Sequence, residues 1–128
     1  MAKSYYLDNA FLSAALTATA YTSPPAVYCA LFTVTPGPSG GGTEVNGNGY
    51  ARTAVVFSAP VNGSATNSAD CTFPQATGAG WGTIAYFAIF DDPNTGNMLY
   101  YGSLTSAKTI NSGDQLKFAA GGITTTES

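Results

Sequence analysis

From Val27 onward, the chain is a succession of short runs rich in β-branched and aromatic residues, separated by glycine, proline, asparagine, aspartate and serine. Runs bounded by turn-forming residues in this way are typical of β-strands joined by tight turns. We expect strands over 27–34, 52–58, 69–73, 83–91, 98–103, 108–110, 115–118 and 123–126. About eight short strands predict an all-β fold, either a two-sheet β-sandwich or a jelly roll.

Two of these runs, 27–32 and 84–90, are apolar at nearly every position. A strand at the surface of a lone sandwich buries one face and alternates apolar with polar residues. We therefore expect these two strands either to be central and covered by the helix, or to lie at a subunit interface.

The first twenty residues have a different pattern. Apolar side chains recur at helical spacing at Leu7, Phe11, Ala14, Ala15 and Ala18. Asp8 suits a helix N-cap or first turn, and the Thr-Ser-Pro-Pro sequence at 22–25 ends the pattern. We expect one domain over 1–128, with a short helix and arm over 1–25 and a β-sandwich over 26–128. The apolar stripe of the helix packs either on the chain's own core or on a neighbouring subunit.

Charged residues make up only 9% of the 128 residues, against roughly 25% in an ordinary soluble protein. A surface so poor in charge indicates either extensive contact with other proteins or an extracellular domain with a neutral polar coat. The net charge is −3, and the four basic residues are scattered, which argues against nucleic-acid binding. No apolar run approaches the roughly 20 residues of a membrane span, and the start lacks a signal-peptide layout.

The residues that usually carry catalysis are scarce. The chain has no histidine, which excludes Ser-His-Asp and Cys-His nucleophile systems and imidazole zinc sites. The adjacent acids Asp91 and Asp92 fall in a sequence that is typical of a hairpin turn, although its oxygen ligands are also loosely calcium-like. Cys29 and Cys71 lie inside apolar runs, so we expect free, buried thiols. We expect no enzyme activity, metal or cofactor.

Two further features concern the middle of the chain. The glycine-rich stretch 36–42 lacks the context of a phosphate loop, and we expect a flexible loop that covers a neighbour or projects outward. Arg52 is the single arginine, and it either pairs with Glu44 or Asp70 and holds this loop to the sheet, or faces solvent.

Six tyrosines flank the predicted turns or the helix, and they suit either protein contacts or stacking on sugars. They are Tyr5, Tyr6, Tyr21, Tyr50, Tyr100 and Tyr101.

Many short motifs in order make the chain resemble a family of small tailed-bacteriophage virion proteins, described as tail-fibre-like or capsid decoration-like. These motifs include Val27-Tyr28-Cys29-Ala30-Leu31-Phe32-Thr33, Gly49-Tyr50-Ala51-Arg52, Thr72-Phe73-Pro74, Trp81-Gly82-Thr83-Ile84 and Gly96-Asn97-Met98-Leu99-Tyr100-Tyr101-Gly102. The resemblance covers nearly the whole chain. It implies a structural role in the virion and leaves head and tail open. Since the start lacks a signal-peptide layout, we expect synthesis in the host cytoplasm.

A fibre subunit generally carries a repetitive shaft, and this sequence contains no repeat or heptad pattern. We therefore expect a capsid decoration (cement) protein that binds the major capsid protein, stabilises the assembled shell by mass action and self-associates, as a homotrimer. The alternative is a tail-fibre or tail-tip knob that binds tail proteins and the host surface. Neither role involves nucleic acid or membrane. The candidate interface residues are Tyr5, Tyr6, Leu7, Phe11, Tyr50 and Arg52.

Overall fold

The computed structural model describes residues 1–126, which form ten β-strands and one α-helix. The elements in chain order are β1 (Ala2–Lys3), α1 (Tyr5–Leu16), β2 (Val27–Val34), β3 (Thr43–Glu44), β4 (Thr53–Val55), β5 (Ser64–Thr66), β6 (Cys71–Thr72), β7 (Gly82–Phe90), β8 (Met98–Ile110), β9 (Lys117–Phe118) and β10 (Thr124–Thr126). The expected all-β fold with one short N-terminal helix is confirmed. The last two residues of the predicted domain, 127–128, lie outside the described range.

One antiparallel sheet of six strands organises the fold. Its main path runs β1-β8-β7-β2-β3, and β4 also pairs with β2. The long strands β2 and β7 are neighbours, with Ala30 opposite Ala88 and Cys29 opposite Ile89. Two antiparallel ribbons, β5–β10 and β6–β9, complete the strand pairing of residues 1–126.

The larger core cluster joins one face of the six-stranded sheet to the two ribbons. From the sheet come Leu31, Phe87 and Ile89, and from the ribbon region come Phe73 and Ile123, all buried. Cys29 and Cys71 lie in this cluster as free thiols, as predicted, and burial raises the pKa of the Cys29 thiol. The two layers therefore pack as a sandwich with one large sheet and one divided sheet.

The opposite face of the sheet carries a second, smaller apolar cluster. Ala30, Phe32, Ala88 and Met98 are buried there, with half-buried aromatic residues packed around them. Because β2 and β7 are central and contribute to both clusters, they are apolar on both faces. The central position predicted for 27–32 and 84–90 is confirmed. Cover by the helix is not seen: within residues 1–126, the side chains that pack on this second cluster are Tyr86, Phe90 and Tyr101, from β7 and β8.

The strand boundaries differ from the predicted ones in three ways. The predicted strands 52–58, 69–73 and 115–118 are shorter, and span Thr53–Val55, Cys71–Thr72 and Lys117–Phe118. The predicted strands 98–103 and 108–110 are one continuous strand, β8. Its pairing with β7 shifts register between Ile84 and Tyr86, and residues 104–107 of β8 form a bulge at this point. The strands β1, β3 and β5 were not predicted. Each has only two or three residues and lies outside any run of β-branched and aromatic side chains, so no local pattern marks it.

Ser4, and not Asp8, is the N-cap of α1. Its hydroxyl accepts a hydrogen bond from the backbone N–H of Leu7 (3.2 Å) and donates to the carbonyl of Met98 in β8. Asp8 is an acid of the first helical turn and pairs with Lys3 (3.3 Å). The start of the helix is thereby fastened to β8. The helix itself is too short to cross a membrane.

Candidate functional site

Arg52 holds Glu44 in a two-point ion pair. The Arg52 Nε donates to Glu44 Oε2 (2.9 Å) and Nη2 donates to Oε1 (2.8 Å). The prediction of a carboxylate partner is confirmed, and the partner is Glu44. Asp70, the other candidate, pairs with Lys117 (3.7 Å) and accepts a hydrogen bond from the backbone of Ala120. The side chain of Arg52 is only 8% exposed, so it does not face solvent.

The same guanidinium reaches the turn between β7 and β8. Nη1 of Arg52 donates to the carbonyls of Asp92 (3.0 Å) and Thr95 (2.8 Å), and the group stacks on the ring of Phe90 at 3.7 Å from its centroid. Burial by itself lowers the pKa of Arg52, but the hydrogen bonds and charge of Glu44 outweigh it and raise the pKa overall. Arg52 thus connects β3, the segment leading into β4, the end of β7 and the following turn.

Tyr50 supports Glu44 from inside the core. Its hydroxyl donates to Glu44 Oε2 (2.6 Å) and accepts from the backbone N–H of Leu31 (3.1 Å). Its ring lies parallel to Phe73 and edge-on to Trp81. Burial, and then the hydrogen bond to Glu44, raise the pKa of Tyr50 well above its usual value. We call Glu44, Tyr50, Arg52, Phe90 and the 91–97 turn the Arg52 cluster.

The 91–97 segment is a turn held by its own carboxylates. Asp92 Oδ2 accepts from the backbone N–H groups of Asn94 (2.9 Å) and Thr95 (2.7 Å), and Asp91 Oδ1 accepts from that of Asn97 (2.7 Å). Gly96 has a φ of 77°, and a Cβ there would collide with Oδ1 of Asp91. The prediction of a turn is confirmed. Within residues 1–126, no three acidic, cysteine or histidine side chains are grouped as metal ligands would be.

The pKa of Asp92 should lie below its ordinary value. The backbone N–H groups of Thr95 and Asn94 lower its pKa below the ordinary 3.8, because they bind only the ionised form well. A carboxyl group with a lowered folded-state pKa stabilises the fold above its unfolded pKa, and this contribution is lost as pH falls through the folded pKa. A carboxyl ¹³C NMR titration, with the resonance assigned by Asp92→Asn, measures the value. A titration midpoint at or above 3.8 would contradict this prediction.

The outer face of α1 exposes large apolar side chains beside the polar Asn9. Leu12 and Leu16 are 56% and 76% exposed, and Tyr5, which lies seven residues before Leu12, is on the same face of the helix. Asp8 is the one charged residue of the helix, and it is paired. This surface, defined by Tyr5, Leu12 and Leu16, is called the helix surface below.

The six candidate interface residues divide into two groups in the structure. Tyr5 and Tyr6 are exposed at the start of α1. Leu7 is buried, and Phe11 is half-buried with its ring edge-on to Tyr21 (5.5 Å between centroids). Tyr50 and Arg52 belong to the interior of the Arg52 cluster.

Sequence reasoning missed Leu12 and Leu16 because it followed a single stripe through Leu7 and Phe11. The signal was present, since the 5–12–16 spacing marks a second apolar face of the same helix.

The glycine-rich loop lies against its own chain. Gly37 and Gly40 exchange backbone hydrogen bonds (2.8 and 2.9 Å), and the carbonyl of Pro38 accepts from the backbone N–H of Tyr5 (2.8 Å). The loop therefore packs on the start of α1, beside the helix surface.

The chain thus combines a sandwich of β-sheets, an ion-pair cluster that holds loops together and a helix with an exposed apolar surface. The family model described as Podophage GP4 fiber I protein gp80 matches residues 2–126. The chain belongs to this family, which confirms the predicted relationship to fibre-like virion proteins of tailed phages. No curated protein matches the chain.

Proposed function

We propose that the chain is a subunit of the phage fibre or tail tip, held in the virion through the helix surface. The family description names a fibre protein, which supports the tail alternative over the capsid decoration role expected from the sequence. The observation that carries the attachment step is the exposure of Leu12 and Leu16 on a helix fastened to the sheet.

Attachment through the helix surface is expected because apolar side chains exposed to water are unfavourable in free energy. Burial of a leucine side chain contributes about 1.5–3 kcal/mol relative to exposure, so Leu12 and Leu16 together supply a substantial contact energy. The tyrosines at the start of the helix add rings that suit the edge of a protein interface. The neighbour is another virion protein or a second copy of the chain, and self-association as a homotrimer is part of this proposal.

The capsid decoration role is the second candidate, and the absence of shaft repeats from these 128 residues favours it. Location and copy number distinguish the two roles. We expect gold-labelled antibodies to mark the tail of purified phage, and quantitative gel analysis to find few copies, comparable with other tail proteins. Labelling over the head, at a copy number near that of the major capsid protein, would refute the fibre role and support decoration.

Leu12→Ser combined with Leu16→Ser should abolish incorporation into particles and leave the fold unchanged. The two side chains contribute little to the chain's own core, so stability changes by less than about 0.5 kcal/mol. Incorporation is measured by complementing a phage that lacks the gene and analysing purified particles. This double variant is more selective than removal of residues 1–20, which would also delete β1, the Ser4 cap and the buried Leu7.

Val56→Ser combined with Val61→Ser is the matched control. Both valines are at least as exposed as Leu12 but lie away from α1, between β4 and β5. Normal incorporation of the leucine variant, or equal loss in both variants, would contradict the assignment of the helix surface.

A further inference from the structure

The sequence contains three Asn-Gly pairs, at 46–47, 48–49 and 62–63. In such a pair the glycine nitrogen can attack the asparagine side-chain carbon, forming a new C–N bond and releasing ammonia. Water then opens the cyclic imide to aspartate or isoaspartate, so the only co-reactant is water. Glycine favours the reaction because no Cβ hinders the attacking nitrogen. The fold decides which of the three asparagines can reach the required geometry.

Asn48 is held in place by several contacts. Its side-chain nitrogen donates to the carbonyl of Gly80 (2.8 Å), and its backbone carbonyl accepts from Thr77 N–H (2.9 Å) and from the indole N–H of Trp81 (2.9 Å). A Cβ on Gly49 would lie 3.0 Å from the carbonyl of Gln75, so the attacking residue is also closely packed. Reaction at Asn48 requires the loss of these contacts.

Asn62 lies in a two-residue hairpin turn. Asn62 and Gly63 have φ values of 53° and 77°, and Val61 and Ser64 exchange backbone hydrogen bonds of 2.8 and 3.0 Å across the turn. Attack by the nitrogen of Gly63 requires this turn to open.

Asn46 has neither restraint. It is exposed, and within residues 1–126 its side chain makes no hydrogen bond and no acceptor meets the N–H of Gly47. The contacts that position this loop lie on either side of the reactive bond: Val45 N–H donates to Leu31 and Tyr50 N–H donates to Gly47 (both 3.0 Å). The Asn46 side chain is therefore free to turn onto the Gly47 nitrogen without loss of a native contact.

We propose that Asn46 is a site of spontaneous deamidation in the folded protein, and that Asn48 is protected. Asn46 lines the same pocket, of about 370 Å³, as Glu44, Tyr50 and Arg52. The product places a second carboxylate at the edge of the Arg52 cluster. The isoaspartate form also lengthens the backbone between two anchored positions, Val45 and Gly47.

The test is peptide mapping of the full chain during incubation at mildly alkaline pH. Tandem mass spectrometry with electron-transfer fragmentation locates each modification and distinguishes aspartate from isoaspartate. In the folded protein we expect conversion at Asn46 to be at least several-fold faster than at Asn48 and at Asn62. In concentrated urea we expect the rates at Asn46 and Asn48 to become similar, since both are followed by glycine and only the fold separates them.

The variant Asn46→Gln is the control for assignment. It should lose the fast modification and keep the slow rate at Asn62. Equal rates at Asn46 and Asn48 in the folded protein, or fastest conversion at Asn48 or Asn62, would overturn the proposal. A rate ratio that persists unchanged in urea would also overturn it, because the difference would then come from local sequence.

Discussion

Asn67→Leu lowers the free energy of unfolding by about 3–5 kcal/mol, which is a large part of the stability of a small domain. Asn67 is 2% exposed. Its side-chain nitrogen donates to the carbonyls of Ala69 and Ala119 (both 2.9 Å), and its side-chain oxygen accepts from the N–H of Ile123 (2.8 Å). Leucine fills a similar volume but leaves the buried N–H of Ile123 unpaired, at about 1–3 kcal/mol. It also loses the two hydrogen bonds to the carbonyls of Ala69 and Ala119, which belong to exposed residues, at about 0.5–1.5 kcal/mol each.

Urea unfolding followed by circular dichroism and by Trp81 fluorescence measures this change. Asn94→Leu is the control, because Asn94 is exposed and only its backbone N–H takes part in the 91–97 turn. We expect the control to change stability by less than about 0.5 kcal/mol. A loss below about 1 kcal/mol for Asn67→Leu would show that water or local rearrangement satisfies the three backbone groups.

Arg52→Ala should cost roughly 2–4 kcal/mol and loosen the loops that the Arg52 cluster holds. Loss of one partner of a buried ion pair typically costs about 3–5 kcal/mol, and the cost is smaller here because 25% of the Glu44 side chain is exposed. The variant also loses the hydrogen bonds to Asp92 and Thr95 and the stacking on Phe90. Amide hydrogen exchange should accelerate at 43–50 and at 91–97 before it does in the two ribbons.

The variant Arg52→Lys distinguishes the contribution of hydrogen-bond geometry to stability from that of the positive charge. Lysine keeps the positive charge but cannot present the planar set of donors that bonds Glu44 at two points and the turn at two more, so only part of the stability should return.

Lys117→Met, which removes an exposed pair at 3.7 Å with both side chains 54% exposed, should cost less than about 1 kcal/mol. An unchanged melting temperature together with unchanged incorporation into particles for Arg52→Ala would refute the role assigned to the cluster.

The features predicted well from the sequence were those with a strong local cause. Long runs of β-branched and aromatic residues identified β2 and β7, and helical spacing before a Pro-Pro pair identified α1. The carboxylate partner of Arg52 was among two candidates, since so few charges are present. The short strands β1 and β3 lie outside any apolar run, and they form because the long strands β8 and β2 offer them backbone hydrogen-bond partners.

The candidate site was predicted less completely, because exposure is a property of the whole fold. The sequence alone determined an all-β protein with one helix, few charges and a recognisable virion family. Only the tertiary structure decided that Leu7 faces inward while Leu12 and Leu16 face outward, that the Asn67 side chain bonds the distant backbone groups of Ala119 and Ile123, and that Asn46 and Asn48 differ. Each of these depends on contacts between residues far apart in the chain, and no local pattern of residues encodes which segments will meet.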